Sequence, residues 1–162
     1  MPTCPQCGTW LVKQAPRRGL FENLLRLLAI GPLRCQLCTR RFLGILWRVN
    51  RVAGREYERI PVRYQVYFRP TFAKEDAQPV QGTISALSIR GCTITTRVSV
   101  PKGESLCLQF EVTEQENPIQ IDGARVRTVN ETKIGVVFSN IRPDEEDRLR
   151  RHMMLLLQKH LP

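Results

Sequence analysis

The spacing of apolar residues divides the chain into a helical stretch, a long alternating stretch and a second helical stretch. Between residues 20 and 28 leucines recur at helical spacing, and Gly31-Pro32 is expected to end that helix. From Arg59 onward apolar and polar residues alternate, which is the signature of strands with one buried face. Six short strands in succession predict a small antiparallel barrel. The predicted strands lie at 62–68, 82–87, 92–98, 106–112, 118–129 and 133–138.

A second helix is predicted at the C-terminal end. Pro143 suits its first position, and the acidic residues directly after Pro143 favour the positive end of the helix dipole. We expect the apolar face of this helix to close the barrel or to meet a partner subunit. The residues predicted to share that face are Leu149, Met153, Leu156 and His160.

Four of the six cysteines form two Cys-x-x-Cys pairs. The two-residue gap lets both thiolates of a pair reach one ion while backbone N–H groups in the turn offset their charge. Two such pairs complete a tetrahedral site of four sulfurs, which suits zinc. Because four protein ligands leave no position for water, we expect the zinc to be structural. The predicted ligands are Cys4, Cys7, Cys35 and Cys38.

The spacer between the two pairs is 27 residues long, and the predicted helix accounts for its length beyond the usual spacing. We expect this helix to pack its apolar side over the metal site or against the neighbouring domain. Disulfides and a thioredoxin-like redox centre are the alternatives, and they fit a reducing compartment and two Cys-x-x-Cys pairs less well. Cys92 and Cys107 stand alone in alternating segments and are expected to be small buried apolar residues.

The positive charge of the chain is concentrated in its first third. The formal net charge is +10, of which residues 1–60 carry +8 and residues 61–162 carry +2. Such a field attracts phosphates of a nucleotide, a nucleic acid or a membrane surface, although it also suits a merely solvated basic face. No stretch is long and apolar enough for a transmembrane helix, and the N-terminus lacks the pattern of a secretory signal. We therefore expect a cytoplasmic protein.

Two segments of the C-terminal two thirds resemble the signature of the PilZ family of cyclic di-GMP receptors. Arg55-Glu56-Tyr57-Glu58-Arg59 is similar to the family's R-x-x-x-R, directly ahead of the first strand. Ala86-Leu87-Ser88-Ile89-Arg90-Gly91 occupies the place of its D/N-x-S-x-x-G. Supporting resemblance comes from the strand that ends near Val129 and from Ile134-Gly135-Val136-Val137-Phe138.

The resemblance implies a cyclic di-GMP site. Two arginines four residues apart can direct guanidinium groups at phosphates and stack on guanine, while a serine and a close backbone approach at glycine complete the surface. Ala86 departs from the family pattern, because a methyl group cannot make the hydrogen bonds that Asp or Asn makes to a guanine edge. The ligand-binding residues implied are Arg55, Arg59, Ser88 and Gly91.

The predicted fold is mainly β: a six-stranded antiparallel PilZ-like β-barrel with a C-terminal α-helix, preceded by a small zinc ribbon that contains an inserted amphipathic helix. The predicted divisions are a zinc ribbon at 1–48, a basic linker at 49–58 and the barrel with its helix at 59–162.

Three functions are consistent with this organisation. The leading hypothesis is a bacterial signalling module in which cyclic di-GMP reorients the zinc ribbon towards a protein partner. The second is weak, non-specific nucleic-acid binding through the basic ribbon, where arginines are interleaved with Phe42 and Trp47. The third is a degenerate PilZ adaptor that binds no ligand and docks through residues 42–47.

An enzyme is not expected. The two histidines, His152 and His160, both fall in the terminal helix without a nearby nucleophile. The sequence also contains no phosphate-binding glycine loop and no carboxylate pair in a plausible cleft.

Overall fold

The computed structural model describes residues 2–46, 56–71, 78–112 and 117–160. The chain divides into two compact units, Met1–Glu58 and Arg59–Pro162. The division coincides with the change from cysteine pairs and a short helix to alternating strands. The predicted domain boundaries remain predictions, and each unit is described separately.

The first unit is a three-stranded antiparallel sheet with a short helical insertion. The strand order is β1-β2-β3, and β2 lies in the centre. Its apolar interior is small: among the described residues of this unit, the buried apolar side chains besides cysteine are Leu11, Ala15, Pro32, Leu33 and Leu37. The elements are β1 (Val12–Gln14), α1 (Gly19–Leu24), a 3₁₀ turn (Leu25–Leu28), β2 (Ile30–Cys35) and β3 (Arg41–Ile45).

The inserted helix is shorter than the sequence predicts, and it is exposed. Ala29 adopts a left-handed conformation directly after the 3₁₀ turn. The chain therefore leaves the helix before Gly31-Pro32, which lie within β2 instead of ending the helix. The prediction that the leucines pack over the metal site is wrong, because α1 contains no buried residue and Leu20 is 88% exposed.

The second unit is a closed barrel of six antiparallel strands, as the alternating pattern predicts. Strand neighbours run in the order β4-β5-β6-β9-β8-β7. Val66, Phe110 and Ile94 are among the fully buried inward-facing residues, and their alternation with outward polar residues explains why the sequence identified these strands. The strands are β4 (Ile60–Pro70), β5 (Val80–Ser88), β6 (Gly91–Thr95), β7 (Ser105–Phe110), β8 (Ile119–Asn130) and β9 (Lys133–Asn140).

The C-terminal helix α2 (Pro143–His160) packs against β4 and β8, and it begins at the predicted proline. Leu149 and Met153 are buried as predicted, but the third buried apolar residue of the helix is Leu157, whereas Leu156 is only partly covered. A step of four residues from Met153 follows the helical repeat more closely than a step of three. Within the described residues, none of the helices combines the length and apolar character that crossing a bilayer requires.

Candidate functional site

The four cysteines of the two pairs form one cluster. Their Sγ atoms all lie within 4.8 Å of one another, so the cluster could hold a metal ion. Sγ of Cys4 lies 3.4 Å from Sγ of Cys38, and Sγ of Cys7 lies 3.5 Å from Sγ of Cys35. These contacts cross between the two pairs, and all six cysteines of the chain are free of disulfides. The geometry fits a four-sulfur metal site and not two separate disulfides.

Each cysteine pair is held in a tight turn of the same construction. The backbone N–H of Cys4 donates to the carbonyl oxygen of Thr9 at 2.8 Å, and the N–H of Cys35 donates to that of Arg40 at 2.9 Å. The residue after the second cysteine of each pair, Gly8 or Thr39, has a positive φ angle. Left-handed backbone at these positions turns the chain so that N–H groups point at sulfur.

The electrostatics of the turns favour thiolate ligands. The N–H groups of Leu37 and Cys38 each donate to Sγ of Cys35 at 3.4 Å. Burial acts to raise the pKa of the Cys4 thiol, but hydrogen bonds from the backbone N–H groups of the first turn outweigh burial and lower that pKa to about 7. Burial raises the pKa of the Cys35 thiol. A bound cation would offset the cost of a buried thiolate there.

The two remaining cysteines have different environments. Cys92 is fully buried in the barrel, as predicted, and burial raises the pKa of its thiol to about 12. Cys107 is not buried, which corrects the prediction: its thiol faces outward from β7 and donates to the carbonyl oxygen of Asp122 at 3.2 Å. Both thiols lie in the second unit, outside the four-sulfur cluster.

Arg59 lies at the start of the barrel beside the predicted ligand surface. Its Nη1 donates to Oγ1 of Thr93 at 3.2 Å. Thr93 stands directly opposite Ala86 in the β5–β6 pair, so the guanidinium lies next to the position where the family has Asp or Asn. Thr93 is a residue of this surface that the sequence analysis missed. Arg55, the other arginine of the motif, lies outside the described residues.

Small side chains line the outer face of the barrel near Arg59. Pro61, Ala86, Thr93 and Gly135 follow one another across neighbouring strands in the hydrogen-bond register. Gly135 pairs with Thr128 on β8, and a Cβ atom built at Gly135 would lie 2.3 Å from Oγ1 of Thr128. The Thr128 side chain therefore occupies the space beside Gly135, which is buried, while Ala86 and Thr93 remain partly exposed next to Arg59.

Ser88 and Gly91 form the turn between β5 and β6. Ser88 is 4% exposed, and its Oγ donates to the carbonyl oxygen of Gly91 at 2.9 Å. A Cβ atom built at Gly91 would lie 2.2 Å from the carbonyl oxygen of Val136, because β6 and β9 approach closely there. In this structure the two residues shape the turn and the strand contact that support Thr93 and Ala86.

The fold and the cysteine cluster define a two-unit protein, a four-cysteine ribbon followed by a six-stranded barrel. The PilZ domain model matches residues 54–155, and the chain therefore belongs to the PilZ domain family. No curated protein matches the chain at a significant level.

Solved structures share the barrel fold at low sequence identity. The Bacillus subtilis inhibitor of motility, MotI/DgrA, has a TM-score of 0.56 and 22% identity over 74% of this chain and 60% of its own. Escherichia coli YcgR in complex with c-di-GMP has a TM-score of 0.52 and 17% identity over 80% of this chain and 58% of its own. The YcgR PilZ domain with c-di-GMP has a TM-score of 0.51 and 16% identity over 66% of this chain and 94% of its own. This chain thus spans less than two thirds of the first two proteins.

Gly91→Ala should destabilise the barrel by roughly 1–3 kcal/mol, because the new methyl group meets a backbone carbonyl that cannot move without disturbing the β6–β9 pairing. Gly135→Ala is the matched control, since the atom it meets belongs to the side chain of Thr128, which can rotate. Chemical denaturation of both variants measures the difference. Equal losses of stability would contradict this account of Gly91.

Proposed function

We propose that this chain is a cytoplasmic receptor for cyclic di-GMP whose barrel binds the nucleotide and whose zinc ribbon contacts a protein partner. The observation that carries the proposal is the hydrogen bond from Arg59 to Thr93, which holds a guanidinium beside the row of small residues on a PilZ barrel. A guanidinium can bind phosphate in a forked geometry and stack on a guanine ring. The titles of the two YcgR structures name the same ligand for that protein.

The proposed site uses Arg55 and Arg59 for the phosphates and the Ala86–Gly91 segment for the base. Thr93 is added to the set, because its hydroxyl accepts a hydrogen bond from Arg59 and the residue stands opposite Ala86. Ser88 is assigned a supporting role, since its hydroxyl is already engaged within the turn. Without Asp or Asn at position 86, one polar contact to guanine is missing, which typically costs about 1–3 kcal/mol.

The metal proposed for the cysteine cluster is zinc. Four thiolates within reach of one ion match its tetrahedral preference, and the absence of an open position assigns it a structural role. The ribbon has few buried apolar side chains, so the metal would supply much of its folding free energy. Cys4, Cys7, Cys35 and Cys38 would hold the ion.

The ribbon also carries the proposed partner surface, a set of exposed apolar side chains that we call the apolar patch. On β3, Arg41 reaches from the strand to Glu22 of α1 at 2.8 Å, so that face of β3 lies towards the helix. Leu43 and Ile45, which lie on the same face of β3 as Arg41, are also exposed. A patch of this kind typically marks a protein-binding site. Its members are Leu20, Phe21, Leu24, Leu27, Leu28, Leu43 and Ile45.

Nucleic-acid binding has less support from the ribbon's described arginines. Arg34 pairs with Glu56 at 2.7 Å, and Arg41 pairs with Glu22 at 2.8 Å, so both guanidinium groups are engaged within the unit. Arg40 is exposed, whereas Trp47, Arg48 and Arg51 lie outside the described residues. We therefore propose at most weak, salt-sensitive binding that ignores base sequence.

Purified protein should contain one zinc ion per chain, as elemental analysis would measure. Cys35→Ser should lose the zinc and unfold the ribbon while the barrel still unfolds cooperatively, because the barrel has its own core. Cys107→Ser is the matched control and should retain zinc. Protein that contains no zinc when purified without chelators, or equal metal loss in both variants, would overturn the zinc assignment.

Isothermal calorimetry should detect weak cyclic di-GMP binding by the native chain. Arg59→Ala should abolish binding, whereas Arg97→Ala, which removes an exposed arginine elsewhere on the barrel, should not.

Ala86→Asn should strengthen binding by about tenfold or more by restoring a guanine contact without adding charge. If neither the native chain nor Ala86→Asn binds, the barrel is a ligand-free adaptor.

Replacement of Leu24 and Leu27 by serine should abolish capture of the protein partner while leaving the zinc content unchanged. Both leucines are exposed, so the variant should fold normally. Leu155→Ser, at an exposed position of α2, is the control. A partner captured equally by all three proteins would exclude the apolar patch as its binding site.

A further inference from the structure

The tripeptide Glu56–Glu58 is held by the second cysteine turn of the ribbon. Gln36, between Cys35 and Cys38, is only 4% exposed, and its Oε1 accepts a hydrogen bond from the backbone N–H of Glu58 at 2.7 Å. Its Nε2 donates to the carbonyl oxygens of Glu56 at 3.3 Å and Arg34 at 3.4 Å. The buried amide therefore uses both ends to bind the backbone of this tripeptide.

Two cations of the ribbon neutralise the acidic side chains of the tripeptide. Arg34 pairs with the Glu56 carboxylate at 2.7 Å, and Lys13 pairs with that of Glu58. Arg34 also donates to the phenolic oxygen of Tyr57 at 2.9 Å, and its guanidinium lies 5.7 Å from the centre of that ring. All these contacts lie within the first compact unit.

The tripeptide is the middle of the arginine motif, because Arg55 precedes it and Arg59 follows it in the sequence. A dianionic nucleotide approaching the two arginines would be repelled by free carboxylates at 56 and 58. An unrestrained segment would also lose conformational entropy when it orders around a ligand. The ribbon contacts lower the repulsion because they neutralise the carboxylates, and they lower the entropy loss because they restrain the segment.

We propose that the second cysteine turn presets residues 56–58 at the centre of the arginine motif, so that metal binding in the ribbon and nucleotide binding at the barrel are thermodynamically coupled. Gln36 is then a positioning residue, since it acts through the backbone of the motif and not on the ligand. The coupling rests on the proposed cyclic di-GMP function. Because linkage is reciprocal, the nucleotide must strengthen metal binding by the same factor by which metal strengthens nucleotide binding.

The first measurement tests the restraint without any nucleotide. In zinc-loaded protein the Glu58 amide should exchange slowly with solvent, and Gln36→Ala should speed its exchange at least about tenfold. Gln6→Ala is the matched control, because Gln6 lies exposed in the other cysteine turn. Zinc content is measured in each variant to establish that the cluster is intact. Equal exchange at Glu58 in all three proteins overturns the proposal.

The second measurement tests the coupling by calorimetry with cyclic di-GMP. Gln36→Ala and chelated protein should each bind about tenfold more weakly than zinc-loaded native protein, and Gln6→Ala should bind normally. Lys13→Ala should weaken binding by freeing the Glu58 carboxylate, whereas Lys102→Ala, which removes an exposed cation of the barrel, should not. In a chelator competition, saturating nucleotide should raise the zinc affinity by the same tenfold factor.

The possible failures are distinguishable. Native binding that is unchanged by Gln36→Ala and by chelation overturns the coupling and leaves the receptor function standing. No binding by native zinc-loaded protein, with the Glu58 amide still protected, overturns the receptor function and the coupling with it.

Discussion

Ala86, Thr93 and Gly135 stand in one row because β5, β6 and β9 pair in a fixed antiparallel register. A shift of one residue in any of these pairs would send the corresponding side chain into the barrel interior. At Gly91 the β6–β9 register requires a residue without a side chain, since a Cβ atom there would lie 2.2 Å from the carbonyl oxygen of Val136. The outer surface beside Arg59 thus depends on a backbone contact beneath it.

The sequence was sufficient for the features that depend on periodicity and spacing. Alternation identified the six strands because each buries one face, and the two Cys-x-x-Cys pairs identified the cluster because two-residue gaps suit a shared ion. Where an error arose, the pattern was compatible with more than one packing. Leucines at 156 and 157 are equally apolar, and only the contact with the barrel selects Leu157. The leucines of α1 match a packed helix in spacing, yet the structure exposes them.

The residues that the sequence did not reveal act through tertiary contacts. Thr93 carries no motif, and its importance follows from its position opposite Ala86 and from the donor that Arg59 supplies. Gln36 is one of two glutamines within the cysteine turns, and nothing in the sequence distinguishes it from Gln6. The difference is that Gln36 is buried against residues 56–58, whereas Gln6 faces solvent.

Under the proposed receptor function, the acidic residues of the arginine motif give the ribbon a role beside this barrel. Two glutamates between two arginines would cancel much of the positive field that a phosphate ligand needs, because at these separations the charges interact strongly. Lys13 and Arg34 of the ribbon neutralise these two glutamates, and both cations are held in place by a sheet with little apolar core. If the four-sulfur cluster holds the proposed zinc ion, that ion stabilises the sheet, and the proposed charge balance at the arginine motif then depends on the metal as well.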